Sequence, residues 1–217
     1  MQKEVNMIYT DEAILQARKQ MEKNERERHS EKVIKAELEQ SIYDGEISVF
    51  HIPVRFEDMA LLDGRITMRL PGDFTSRTKE EIERVYFMGN SPQYVYSNSY
   101  LDFALALNWT THEVPEELLY EAAENVRYMM ERVGPKMRFL GEEKLDREEG
   151  RMVLFKLLSN AIDGVIYMNM FLVCVEGKML MGTLSFDQKL SKRLAPLTEE
   201  IVKSLKVTKS AAKHEEL

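Results

Sequence analysis

The 217-residue chain contains one cysteine, Cys174, and four scattered histidines. A single thiol cannot close an internal disulfide, and no Cys/His spacing suits zinc, so structural staples of both kinds are excluded. No apolar run approaches the roughly 18 residues of a membrane span. The nearest, Gly164 to Val175, is short and interrupted by Asn169. Met1 to Asp11 lacks the continuous apolar core, roughly 7 to 15 residues, of a signal peptide, so the expected compartment is the cytoplasm. Basic residues are in deficit, 30 Lys and Arg against 37 Asp and Glu, and a net charge of −7 is the wrong sign for a protein that draws its affinity from nucleic-acid phosphates. Neither GxGxxG nor the P-loop pattern occurs, nor do GxSxG and HExxH, so the usual nucleotide, serine-hydrolase and zincin sites have no anchor. The expectation is a protein without cofactor, metal or catalytic residues.

What is present is enough apolar sequence, 44%, to build a core, with 31% charged residues to keep it in water. The first 45 residues stand apart. Thr10-Asp11-Glu12 is a helix start, followed by Ile14, Ala17 and Met21 at helical spacing. From Glu22 to Lys32 no large apolar residue occurs, so that stretch is solvated. Ile34, Leu38 and Ile42 resume the spacing before Asp44-Gly45. Residues 1–45 therefore read as a charged helical arm, either lying on the body or reaching for a partner or a second copy.

The body, residues 46–207, opens with strands around Ile47, Val49 and His51 and over Arg65 to Leu70. Thr78-Lys79-Glu80-Glu81 is a capping box that starts a short helix. Tyr94 to Tyr96 pairs across a turn with Leu101 to Trp109, whose one side is large and apolar and whose other side is Asp, Ala and Asn. Pro115 opens a helix with its stripe at Leu119, Ala122, Ala123, Val126, Met130 and Val133. Four tightly connected segments follow, Lys136 to Leu145, Gly150 to Leu158, Gly164 to Val175 and Met179 to Phe186, and tight connections make an antiparallel meander. Pro196 is placed in the first turn of a closing helix carrying Leu197, Ile201 and Leu205, and Thr208 to Leu217 forms a frayed tail. The fold class is α+β: about six or seven mostly antiparallel strands packed with two long helices and one short one.

This order of elements resembles the PsbP/DcrB-like α/β/α sandwich family, which includes photosystem PsbP, Mog, DcrB and the Eag secretion chaperones. The resemblance rests on Ile66-Thr67-Met68-Arg69-Leu70-Pro71-Gly72-Asp73-Phe74 and on Glu176-Gly177-Lys178 to Phe186 followed by Ile201-Val202-Lys203-Ser204-Leu205-Lys206. It implies a binding or assembly factor and supplies no catalytic residue.

The candidate contact residues come from methionine content and from one strand's alternation. Among fourteen methionines, Met168, Met170, Met179 and Met181 fall on neighbouring strands, where they either fill the core or form a soft groove for a polypeptide. Tyr167, Asn169 and Phe171 lie on the opposite side of the same strand, and form an alternative groove if that side is shared with Ala104, Ala106 and Asn108. Trp109 at a strand end is a core edge or a contact anchor. No local sequence arrangement marks a site at His51 or His112, which read as surface or edge histidines, and Cys174 reads as an inert core thiol. Glu116/Glu117, Glu142/Glu143 and Glu148/Glu149 read as helix-end and turn solvation. The functional expectation is a polypeptide-binding adaptor or chaperone. The alternative is a small hydrophobic ligand or lipid site in a cavity lined by Leu105, Phe155 and Met170.

Overall fold

The computed structural model describes residue 20 and residues 30–86, 91–133, 137–161 and 164–208. Two compact units divide the chain, Met1–Gln40 and Ser41–Leu217. In the first, helix α1 covers 30–38, with a Lys35–Glu39 pair one turn apart and the Gln40 amide donating to the Ala36 carbonyl. The sequence expectation for Ile14 to Met21 lies outside the described residues. The helix ends before Ile42, which the second unit buries completely.

In that unit β1 (Glu46–Val49), β2 (Ile52–Leu61), β3 (Ile66–Pro71) and β11 (Lys206–Val207) make a four-stranded sheet in that order, every pair antiparallel. Sequence periodicity missed β2 and misplaced His51, which sits not in a strand but in the turn. Phe50 and His51 make the β1–β2 turn with φ of 53° and 64°, the left-handed region where a glycine or asparagine signal is expected and neither occurs. Pro53 is tolerated because it falls near the start of β2.

The second sheet has seven strands, ordered β4 (Thr75–Ser76), β5 (Tyr94–Ser97), β6 (Phe103–Glu113), β10 (Lys178–Asp187), β9 (Gly164–Val175), β8 (Met152–Ala161) and β7 (Met137–Leu145), again antiparallel throughout. The expected meander β7–β10 is present, its last turn made by Glu176 and Gly177 at positive φ. Register fixes the two faces. The inner face carries Phe103, Leu105 and Leu107 of β6 beside Phe186, Leu184 and Gly182 of β10 and Tyr167, Asn169 and Phe171 of β9. It packs on the four-stranded sheet and on helix α4 (Ser191–Lys203). The outer face carries Phe155 and Leu157 of β8 with Met170, Leu172 and Met179, closed over by Leu119 and Ala123 of helix α3 (Leu119–Val133). Helix α2 (Lys79–Val85), with the expected capping box, covers the other flank of this face, where Ile82 is buried. Between Pro115 and α3 a 3-10 turn, Glu116–Leu118, precedes the helix proper.

The end of the chain differs from its sequence expectation. Helix α4 starts at Ser191, so Pro196 lies inside it and not in its first turn. The Asp187 carboxylate accepts from the Lys189 amide and begins a 3-10 lead-in that moves the start upstream. Glu199 and Glu200 consequently fall in the C-terminal half, away from the positive dipole end, and are held by lysines and by Ser41. The helix stops at Lys203, and residues 206–207 become a strand against Ile66 and Thr67. Thr208 continues it, its amide donating to the Arg65 carbonyl at 2.8 Å. Residues 209–217 of the expected tail lie outside the described residues.

Candidate functional site

The side of β9 that carries Asn169 is not the side that carries Ala104 and Ala106. Asn169 pairs with Leu184, which pairs with Leu105, whereas Met170 pairs with Thr183, which pairs with Ala106. Tyr167, Asn169 and Phe171 therefore belong to the core beneath α4, and the alternative groove that joined them to Ala104, Ala106 and Asn108 does not exist. Asn169 is fully buried and its amide donates to the Thr198 hydroxyl at 2.9 Å, tying β9 to α4. The Tyr167 ring stacks on Phe186 at 5.0 Å. Phe171 lies over Gly182. The same parity separates Leu105 from Phe155 and Met170, which stand on opposite faces, so the expected ligand cavity lined by those three cannot form.

The four methionines do share the outer face. Met170 and Met179 are buried under α3, while Met168 and Met181 are half-buried at its margin. Helix α3 lies across β7, β8 and β9. Its Arg127 pairs with Glu142 at 3.0 Å and lies over the Phe139 ring, and Tyr120 donates to Asp146, which turns that flank toward β7. Helical period then places Ala122, Asn125 and Met129 on the opposite flank, above β9 and β10. Met129 is 57% exposed there.

At the other margin α2 faces Val95, Ser97 and Ala104 across a cavity. Between the two helices the outer face runs over β6 and β10 with Ala106, Thr183 and Ser185 only half-buried. Small side chains make this a trough, with Met168, Met181 and Met129 along one side. Counted in strand spacings from β8 under α3 to the β5–β6 pair beside α2, the sheet spans about three to three and a half intervals, roughly 14–17 Å, whereas two helices in contact need only about 8–10 Å. The excess, about 6 Å, matches one extended polypeptide.

The remaining sequence candidates have structural partners. Trp109 is half-buried at the core edge, its indole N–H donating to the Val175 carbonyl and its ring faced by Arg65 at 4.8 Å and Lys178 at 5.7 Å. Cys174 is half-buried rather than fully within the core; its thiol donates to the Val114 carbonyl, and burial pushes its pKa up. Glu142 and Glu143 diverge, the first to Arg127 on α3 and the second to Lys203 on α4. Glu116 accepts from the Arg151 amide. No group of three or more metal-ligating side chains occurs among the described residues.

Three polar groupings escaped the sequence reading. Lys156, Glu199, Lys203 and Glu143 form a chain of ion pairs joining β7 and β8 to α4. Burial raises the carboxyl pKa of Glu199, but hydrogen bonds from Lys156 and Lys203 outweigh it and leave the group lowered. Arg147 donates to the Lys203 and Leu205 carbonyls at the end of α4, and burial lowers its pKa. Glu200 accepts from the Ser41 hydroxyl and the Ile42 amide, so it fixes the chain where the second unit begins. Each joins residues far apart in sequence, and no local spacing announces them.

A seven-stranded antiparallel sheet, faced by a smaller sheet and α4 on one side and by α2 and α3 on the other, defines an α+β sandwich whose outer face is only partly roofed. This is the PsbP-like fold. The chain is similar in structure to cyanobacterial PsbP (CyanoP) from Synechocystis sp. PCC 6803, with a TM-score of 0.51 and 12% identity, over 70% of this chain and 92% of that one. Looser similarity extends to PA94 from Pseudomonas aeruginosa, a protein of unknown function (TM-score 0.44, 9% identity, 71% and 99% covered). It extends also to LpqN of Mycobacterium tuberculosis, described as involved in cell envelope biogenesis (0.43, 9%, 72% and 92%). No protein-family model matches the chain, and no curated protein matches its sequence. No helix among the described residues is long and apolar enough to cross a membrane.

Proposed function

We propose that the protein is a non-catalytic adaptor or chaperone-like factor of the cytoplasm that holds an extended polypeptide segment in the outer-face trough. The observation that carries this reading is the half-buried floor of small residues, Ala106, Thr183 and Ser185, on β6 and β10 between the strands that α3 and α2 flank. Small floor residues let a backbone approach the sheet, and thioethers at the margin adapt to varied partner side chains. The test fills the trough. Ala106→Trp and Thr183→Trp variants, recovered from the native host beside wild type and weighed by native mass spectrometry, lose a stoichiometric polypeptide that wild type retains. Retention of that partner by both folded variants places binding elsewhere. A chain beginning at Ser41 separates any contribution of the arm.

A further inference from the structure

A second feature of the outer face lies beside the trough. Between α2 and the β5–β6 flank is a cavity of about 320 Å³. At ~30 Å³ for each molecule of liquid water this holds on the order of ten non-hydrogen atoms, the lower end of small-molecule sites. Its walls are apolar, from Ile82 and Val85 of α2 to Val95 and Ala104 of the sheet. Val85 is 69% exposed at the mouth, an unusual position for a valine on a seven-residue helix with one buried residue.

Two arginines, Glu81, Tyr86 and Ser97 complete the lining. Arg77 is already committed. Its guanidinium donates to the Ser97 hydroxyl at 2.7 Å and the Asn98 carbonyl at 3.3 Å, and it pairs with Glu81 at 3.6 Å. Glu81 is likewise committed to the cap of α2, accepting from the Thr78 amide at 2.8 Å. Arg84 forms no close ion pair or hydrogen bond among the described residues, and its charge reaches the Glu81 carboxylate only through space. The cavity therefore has an apolar interior, and its two arginines against the one carboxylate of Glu81 leave a net positive charge in the lining, a pattern complementary to a singly charged amphiphilic anion. Tyr86, whose hydroxyl burial pushes toward the neutral form, adds no negative charge to oppose it.

We propose that this cavity binds a medium-chain carboxylic acid, its alkyl chain against Ile82, Val85, Val95 and Ala104 and its carboxylate at Arg84. A planar carboxylate suits the guanidinium fork, and a short chain fills the volume without leaving the walls. The assignment does not depend on the polypeptide reading of the trough, and none of its tests requires a protein partner.

The probe is sodium octanoate, of about ten non-hydrogen atoms, titrated calorimetrically into the full chain with 1-octanol as the uncharged comparator. Wild type binds one octanoate with a Kd of about 1 mM or tighter. Arg84→Gln weakens octanoate about tenfold and leaves octanol unchanged, whereas Arg84→Lys recovers part of the loss. Ala104→Leu, which occupies the floor, removes both ligands. Val85→Glu, at an exposed position that leaves the core intact, repels octanoate selectively. Absence of saturable octanoate binding at about 10 mM overturns the proposal, because a built site of this size is expected to be occupied there. Unchanged octanoate affinity in Arg84→Gln, or in a folded Val85→Glu variant, overturns it equally.

Discussion

Gly182 offers the sharpest test of the inner core. A Cβ built on it would lie 2.0 Å from Cζ of Phe171 and 2.4 and 2.6 Å from the two ring carbons beside it. The approach is a direct cross-strand pair between β10 and β9, and the ring is fully buried, so it has no solvent to swing into. Overpacking of a dense core costs about 1–3 kcal/mol, and expelling the ring instead forfeits about 3–5 kcal/mol of aromatic burial. Gly182→Ala is therefore expected to cost about 3 kcal/mol by urea unfolding, between the two limits. At about 2–4 °C per kcal/mol for a domain of this size, the melting temperature falls by about 10 °C. The doubly substituted Gly182→Ala/Phe171→Leu chain, which removes the ring edge, recovers stability relative to the sum of the single changes, with a coupling of about 1 kcal/mol or more. A Gly182→Ala variant within about 0.5 kcal/mol of wild type, or strict additivity in the cycle, refutes the close-packing argument.

Other consequences follow from named contacts. Glu199 has a folded pKa below the ordinary carboxyl value of 4.5, so its contribution to stability is complete above that value and is lost as pH falls through the folded value. Urea midpoints measured from pH 7 to 3 should consequently fall less steeply with acidification in Glu199→Gln than in wild type; equal slopes would remove the ion-pair chain as a cause. Ile42→Ala, at a fully buried position, is expected to cost about 2–5 kcal/mol by the same unfolding assay, and Ser41→Ala about 1 kcal/mol through its lost bond to Glu200. Thr78→Ala removes the capping box of α2 and costs about 1 kcal/mol. Hydrogen exchange reports that loss as faster exchange confined to residues 79–85, whereas a uniform change would place the effect elsewhere. Cys174 should react slowly with a disulfide reagent at neutral pH, since burial raises its thiol pKa; a rate matching a free peptide thiol would show that the site opens readily.

Much of the architecture was written locally. Alternation from Leu101 to Trp109 marks β6 because every second side chain enters the inner core, and Glu176-Gly177 marks a hairpin because only a left-handed pair closes a turn that tight. The capping box and the stripe of α3 are local for the same reason: helix ends and helix faces are made of residues three and four apart. Where the outcome depended on distant partners, the sequence was mute. Strand β2 alternates poorly after Phe56, and its preceding turn uses Phe50 and His51, so pairing with β1 and β3 is what holds it extended. The closing residues Lys206 and Val207 carry no strand alternation of their own, yet Ile66 and Thr67 offer an open sheet edge that captures them as β11.

For the site the division is sharper. Sequence by itself determined that Met168 and Met170 share one side of β9, and Asn169 and Phe171 the other, because side chains alternate along any strand. Which of those sides also holds Ala106 was decided only by the pairing of β9, β10 and β6, since a one-residue slip of register exchanges every side chain between faces. Tertiary structure likewise decided that α3 roofs Met170 and Met179, and that Arg84 of α2 lines an apolar cavity with Val95 and Ala104 of the sheet. These are facts of spacing between elements, and no residue's identity carries the distance to a neighbour that the chain reaches only after folding.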